Sequence, residues 1–112
     1  MSGITTHVLD TSTGRPAAGV PVTLERQADS GWQSAGQGVT NQDGRILDLL
    51  AGSPLAAGTY RLTFDTAAYF RQRNLPAFYP QVQVMFTVGD AGQHYHIPLL
   101  LSPYGYSTYR GS

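Results

Sequence analysis

The chain is 112 residues long with a formal net charge of zero, seven arginines against six aspartates and one glutamate. That balance lacks the basic surface needed to neutralise many phosphates, so no nucleic-acid partner is expected. Cysteine and lysine are both absent, which excludes disulfides, thiolate nucleophiles, Cys-ligated zinc and Schiff-base chemistry by this chain. The length predicts one domain, 1–112. A chain this size buries about two-thirds of its unfolded surface, so a ligand site is expected to be shallow or shared between subunits. The opening Met1-Ser2-Gly3-Ile4-Thr5-Thr6-His7 has neither the basic nor the apolar region of a secretory leader. No apolar run approaches the ~20 residues of a membrane helix, and Tyr109-Arg110-Gly111-Ser112 matches no common organelle address. The expectation is a cytoplasmic protein with no membrane partner.

Short runs separated by glycine and proline predict an all-β sandwich or barrel. Ile4 to Asp10 reads as a strand and Thr11 to Pro16 as its turn. Gly19 to Gln27 follows, with Val20, Val22 and Leu24 alternating against Pro21, Thr23 and Glu25. Asp29-Ser30-Gly31 is a hairpin loop. Trp32 to Thr40 is a weaker strand, loosened by Gly36 and Gly38. Asn41-Gln42-Asp43-Gly44 is a tight turn in which Asp-Gly supplies positive φ. Tyr60, Leu62 and Phe64 alternate with Arg61, Thr63 and Asp65 as a half-buried strand. Thr66 is the expected N-cap of one short helix, Ala67 to Arg73. Val82, Val84, Phe86 and Val88 give the clearest period of two, and Gly89 to Gly92 turns the chain back. Gln93 to Leu101 and Gly105 to Arg110 are the last strands, interrupted at Ser102-Pro103. The total is about eight strands and one helix.

Nucleophile elbows, phosphate loops and dinucleotide fingerprints are all missing. Three histidines remain. His94 and His96 lie two apart on one strand and so share a face, roughly 7 Å apart, while Tyr95, Ile97 and Leu99 take the core face. His7 lies opposite Val8 and Asp10 on the first strand. Three readings compete: solvated surface histidines, a three-imidazole zinc site, and metal-free proton transfer by groups that titrate near neutral pH. No acidic partner sits beside these histidines to support a metal. Arg45, after the Asp43-Gly44 turn, reads either as a solvated arginine or as a donor fork for an anionic or carbonyl-rich ligand. Tyr109 and Arg110, near the carboxylate of Ser112, read either as a frayed end or as a stacking and donating segment.

These residues resemble the 5-hydroxyisourate hydrolase family, the transthyretin-related proteins, over nearly the whole chain. Thr5-Thr6-His7-Val8-Leu9-Asp10 with Gly14-Arg15-Pro16-Ala17 looks like the family's opening motif. Thr40-Asn41-Gln42-Asp43-Gly44-Arg45 is similar to its turn motif. His94-Tyr95-His96-Ile97-Pro98-Leu99-Leu100-Leu101-Ser102-Pro103 leads into Tyr106-Ser107-Thr108-Tyr109-Arg110-Gly111-Ser112. The final Tyr-Arg-Gly-Ser is the most specific part, because it separates the hydrolases from the hormone-carrying transthyretins. Ile97, where valine is expected most often, is a mild change on the core face.

The resemblance implies a transthyretin-like sandwich of two four-stranded sheets with one short helix. It implies a homotetramer, a dimer of dimers, with sites where dimers meet. It also implies cofactor-free and metal-free hydrolysis of 5-hydroxyisourate to 2-oxo-4-hydroxy-4-carboxy-5-ureidoimidazoline, in urate degradation. His7, Arg45 and His96 match the catalytic positions. Tyr109, Arg110, Gly111 and Ser112 match the C-terminal site motif, with Ser112 counted among the catalytic groups. His94 matches a position without an assigned role. A non-catalytic carrier of a small aromatic ligand is the alternative.

Overall fold

A computed structural model describes residues 3–112. Met1 and Ser2, which open the segment read above for leader features, lie outside the described residues. In chain order the elements are β1 (Gly3–Asp10), β2 (Arg15–Pro16), β3 (Pro21–Ala28), β4 (Gly31–Val39), β5 (Arg45–Ile46), β6 (Gly58–Phe64), α1 (Thr66–Arg71), β7 (Val82–Val88), β8 (His94–Ser102) and β9 (Gly105–Thr108). The all-β expectation holds, with nine strands among the described residues rather than eight. Seven of the nine correspond to strands named from the sequence; β2 and β5 are two-residue pieces that sequence periodicity cannot register. Among the described residues no helix is long and apolar enough to cross a membrane.

One sheet runs β4-β3-β6-β7, all antiparallel. The other runs β2-β1-β8-β9, with β5 also on β1. Its central pair, β1 and β8, is parallel, from Gly3 opposite His94 to Asp10 opposite Leu101. Alternation decides which side chains meet between the sheets. Ile4, Val8, Tyr95, Ile97, Leu99 and Leu101 face inward from one sheet, and Val22, Leu24, Tyr60, Leu62, Phe64, Val82 and Val88 from the other; all are buried.

Two local expectations change. Asp65, not Thr66, caps the helix: its carboxylate accepts from the Ala68 N–H at 3.0 Å. Thr66 is fully buried, and its hydroxyl donates to the Tyr79 carbonyl instead. The helix stops at Arg71 rather than Arg73. Beside Gly36 the register of β4 against β3 shifts past Ala35, and the glycine has a second use. A side chain there would collide with the Leu49 carbonyl, so glycine lets the loop after β5 fold down and bury Leu49, Leu50 and Leu55 in the core. That loop gave no period to read.

Asp10 is the buried carboxylate of this core. Tyr69 on α1 donates to it at 2.7 Å, and the Ser12 hydroxyl and N–H donate as well. Burial alone would raise its pKa, but the donated hydrogen bonds outweigh it and hold the carboxyl below its ordinary value. Burial and the Asp10 carboxylate push the Tyr69 phenol up to about 12. The bond ties the helix to β1 and so braces the strand that carries His7.

A carboxyl with a depressed folded pKa contributes stability above its unfolded pKa and loses it as pH falls through the folded value. Replacing Asp10 with Asn should therefore lower stability at neutral pH by about 1–3 kcal/mol. It should also flatten the fall of Tm below about pH 4, the unfolded carboxyl range. Thermal melts across acidic pH check both; a variant with the parent's Tm and acid slope would refute the bracing role.

Candidate active site

Residues paired across a ladder share a face, so the register of β1 selects the outer surface of its sheet. Thr5 sits opposite His96 and Gly3 opposite His94 on β8. On the other edge of β1, His7 pairs with Arg45 of β5. The turn that delivers Arg45 is held by Asn41, whose side-chain oxygen accepts from the Asp43 and Arg45 N–H groups at 2.9 and 3.0 Å. Gly44 adopts φ 74° there, and a Cβ would meet the Val8 carbonyl. Strand alternation and one turn thus gather His7, Arg45, His94 and His96 on one surface.

A cleft of about 330 Å³ opens on it, walled by Thr5, Thr6, Arg45, Leu47, His94, His96 and Ser112. His7 lies beside it, adjacent to Arg45, and is not among its walls. The Thr5 hydroxyl lies 2.9 Å from His94 Nε2 and 2.7 Å from His96 Nδ1. The Thr6 hydroxyl is committed to the Ile97 carbonyl at 2.6 Å. Arg61–Glu25 is the ion pair among the described residues, so no carboxylate neutralises Arg45. Burial first, and then the nearby His7, Arg45 and His94, depress the His96 pKa below its ordinary value of 6.5. His96 is therefore a neutral imidazole at pH 7.

The C-terminal segment divides. Gly111 bridges to His96, donating its N–H to the His96 carbonyl at 2.8 Å. A side chain at Gly111 would come within 2.6 Å of His96 Cδ2, so only glycine lets the end pass close enough for Ser112 to reach the cleft. Tyr109 and Arg110 line a second pocket of about 240 Å³ with Phe86, Tyr95 and His96, so His96 borders both this pocket and the cleft. The Arg110 guanidinium stacks over Tyr95 at 4.6 Å and donates to Gln93 at 2.8 Å. Of the candidates, Arg45, His96 and Ser112 share one cleft within a protomer, Gly111 and His7 flank it, and Tyr109 and Arg110 line the adjoining pocket on the other side of His96. Thr5 and Leu47 are walls that sequence reading passed over. Thr5 carried one usable signal, its spacing of two from His7 on the same strand.

A model of the HIUase/Transthyretin family matches residues 4–111. The chain belongs to this family. Within it, the chain is 49% identical over 109 residues to a 5-hydroxyisourate hydrolase of Salmonella dublin, covering 97% of this chain and 80% of that one. It superposes on the structure of Klebsiella pneumoniae 5-hydroxyisourate hydrolase with a TM-score of 0.88 at 42% identity, covering all of both chains. It also superposes on sea bream transthyretin in complex with thyroxine, with a TM-score of 0.90 at 32% identity, covering 96% of this chain and 93% of that one. Backbone shape therefore does not separate the hydrolases from the transthyretins, whereas identity leans toward the hydrolases.

Followed by NMR, His96 should titrate below the ordinary histidine value. Because the Arg45 charge is one cause of that depression, Arg45→Met should move the midpoint upward without reaching the ordinary value. An unmoved midpoint would mean that the guanidinium does not face the imidazole.

Proposed function

We propose that this protein hydrolyses 5-hydroxyisourate, with residues 1–112 acting as one hydrolase domain. The observation that carries the reading is the convergence of Arg45, His96 and the C-terminal Ser112 on one cleft, with His7 beside it. The hydrolase names of the relatives support it. Water adds to a ring carbonyl, the ring C–N bond breaks, and 2-oxo-4-hydroxy-4-carboxy-5-ureidoimidazoline results. His7 and His96 divide the proton work: the water gives up a proton and the leaving nitrogen receives one. Arg45, unneutralised by any carboxylate, stabilises negative charge developing on the carbonyl oxygen. Ser112 closes the cleft, and Gly111 holds it there. Neither a metal nor a cofactor takes part. A transthyretin-like carrier without turnover is the second reading, kept because the superposition on the thyroxine complex is as good as that on the hydrolase.

The test is the ultraviolet decay of freshly made 5-hydroxyisourate against its spontaneous rate, run in EDTA. Turnover should persist under chelation. Arg45→Lys should lower kcat on the order of a hundredfold, since lysine lacks the bidentate fork. Deleting Tyr109 to Ser112 should abolish turnover while leaving Tm nearly unchanged, because Tyr109, Arg110 and Ser112 are all exposed. No acceleration by the intact chain would favour the carrier. A truncated chain with full turnover would sink the role of the C-terminus.

The working form is a homotetramer, a dimer of dimers, with the sites where dimers meet. An exposed aromatic cluster supports association. Phe78 is 66% and Tyr104 68% exposed, and Phe78 contacts both Tyr79 and Tyr104, at centroid distances of 5.0 and 6.5 Å. Strands β7 and β9 end their sheets, so their outer edges are open to further strand pairing. Sedimentation should give a tetramer, and Phe78→Glu should yield smaller species. A fully active wild-type monomer would overturn this assembly.

A further inference from the structure

Thr5 joins two histidines that lie 89 and 91 residues away in sequence. Its hydroxyl carries a single proton, and the residue is only 8% exposed, so little water reaches it. Among the described residues the two imidazole nitrogens are its hydrogen-bond partners. One of them must accept the hydroxyl proton, and the other must then present its own N–H to the oxygen. The two rings are consequently coupled through one atom. Both contacts, 2.7 Å to His96 Nδ1 and 2.9 Å to His94 Nε2, are of ordinary hydrogen-bond length, so the tautomers set the direction, and the shorter contact is assigned to the hydroxyl proton.

We propose that Thr5 is a positioning residue: it accepts from His94 Nε2–H, donates to His96 Nδ1, and so holds His96 with its proton on Nε2. This rests on the hydrolase reading but replaces its shared proton work: both transfers fall to His7, and His96 only donates a hydrogen bond. His96 has no lone pair left for the water, because Thr5 occupies Nδ1 and a proton occupies Nε2. It serves the cleft as a neutral donor, polarising the carbonyl oxygen alongside Arg45. His7 is then the base. The water's proton passes to His7 as the hydroxide adds to the carbonyl carbon. As the C–N bond breaks, the same proton passes to the leaving nitrogen, and His7 returns to neutral. The depressed pKa of His96 fits this assignment, since a donor of this kind works uncharged.

The first measurement is the tautomer of His96 in the intact protein at neutral pH, read from 15N-detected ring-nitrogen shifts. A proton on Nε2 is expected; a proton on Nδ1 would overturn the proposal whatever the protein catalyses. The second is kinetic. His96→Gln keeps an N–H donor near the Nε2 position and removes any base, so kcat should stay within about tenfold of the parent, while His7→Gln should cost on the order of a hundredfold or more. If His96→Gln falls as far as His96→Ala, His96 is the base and the assignment fails. Thr5→Val should lower kcat with little change in KM and blur the His96 tautomer, and Thr5→Ser should restore both. A Thr5→Val protein with parental kcat and one fixed tautomer would also refute it. A wild type that does not hydrolyse 5-hydroxyisourate removes the functional reading, and the tautomer measurement still decides what Thr5 does.

Discussion

The parallel register between β1 and β8 is the constraint on which the rest depends. Side chains alternate with a period of two along each strand, so a slip of one residue would exchange the faces of every position. In the observed register Ile4, Val8, Tyr95, Ile97, Leu99 and Leu101 go inward together. Burying them is worth about 25 cal/mol per Å² of apolar surface, and a slipped strand would forfeit that while pushing histidines into the core. The core thereby fixes the site. Thr5 is brought opposite His96 because Ile4 and Ile97 have to be inside.

Polar groups at the margins of that ladder are arranged to protect it. Asp10, at the end of β1, is buried and bonded to Tyr69 from the helix. Thr6 faces inward yet donates to the Ile97 carbonyl. Thr40, also buried, donates to the Ala17 carbonyl and accepts from the Val20 N–H. Each places a polar group in the core with its partner supplied, which removes the desolvation penalty of leaving it unpaired. These bonds hold strand ends and turns at defined positions, and the Arg45 turn depends on such positions.

The family's scaffold serves more than one kind of site, and here the backbone alone is nearly silent about which. The superposition on a thyroxine complex is as close as that on a hydrolase. The candidate site is a handful of outward side chains on one sheet, where substitution costs little stability because the core does not use them. The C-terminal Gly111 is part of that surface: a Cβ there would displace the end from His96 while leaving the core untouched.

Much was legible in the sequence because period and punctuation are local. The alternation in β6, β7 and β8 showed which residues are buried. The His94–His96 spacing showed that both point outward, and the motifs naming His7, Arg45 and His96 could be read without coordinates. Local pattern also misled where tertiary contacts compete: Thr66 gave up its capping role because a nearby carbonyl took its hydroxyl, and Gly36 proved to be a point of close approach. Three things belonged to the tertiary structure alone. The Leu49 loop enters the core without any periodic signal, since its burial is set by the gap it fills. Tyr109 and Arg110 fall on one side of His96 and Ser112 on the other, a division visible only once the chain end is bridged to His96. Thr5 meets His94 and His96 across some ninety residues of chain, a contact that exists only once two distant strands lie side by side, and no pattern within either strand encodes it.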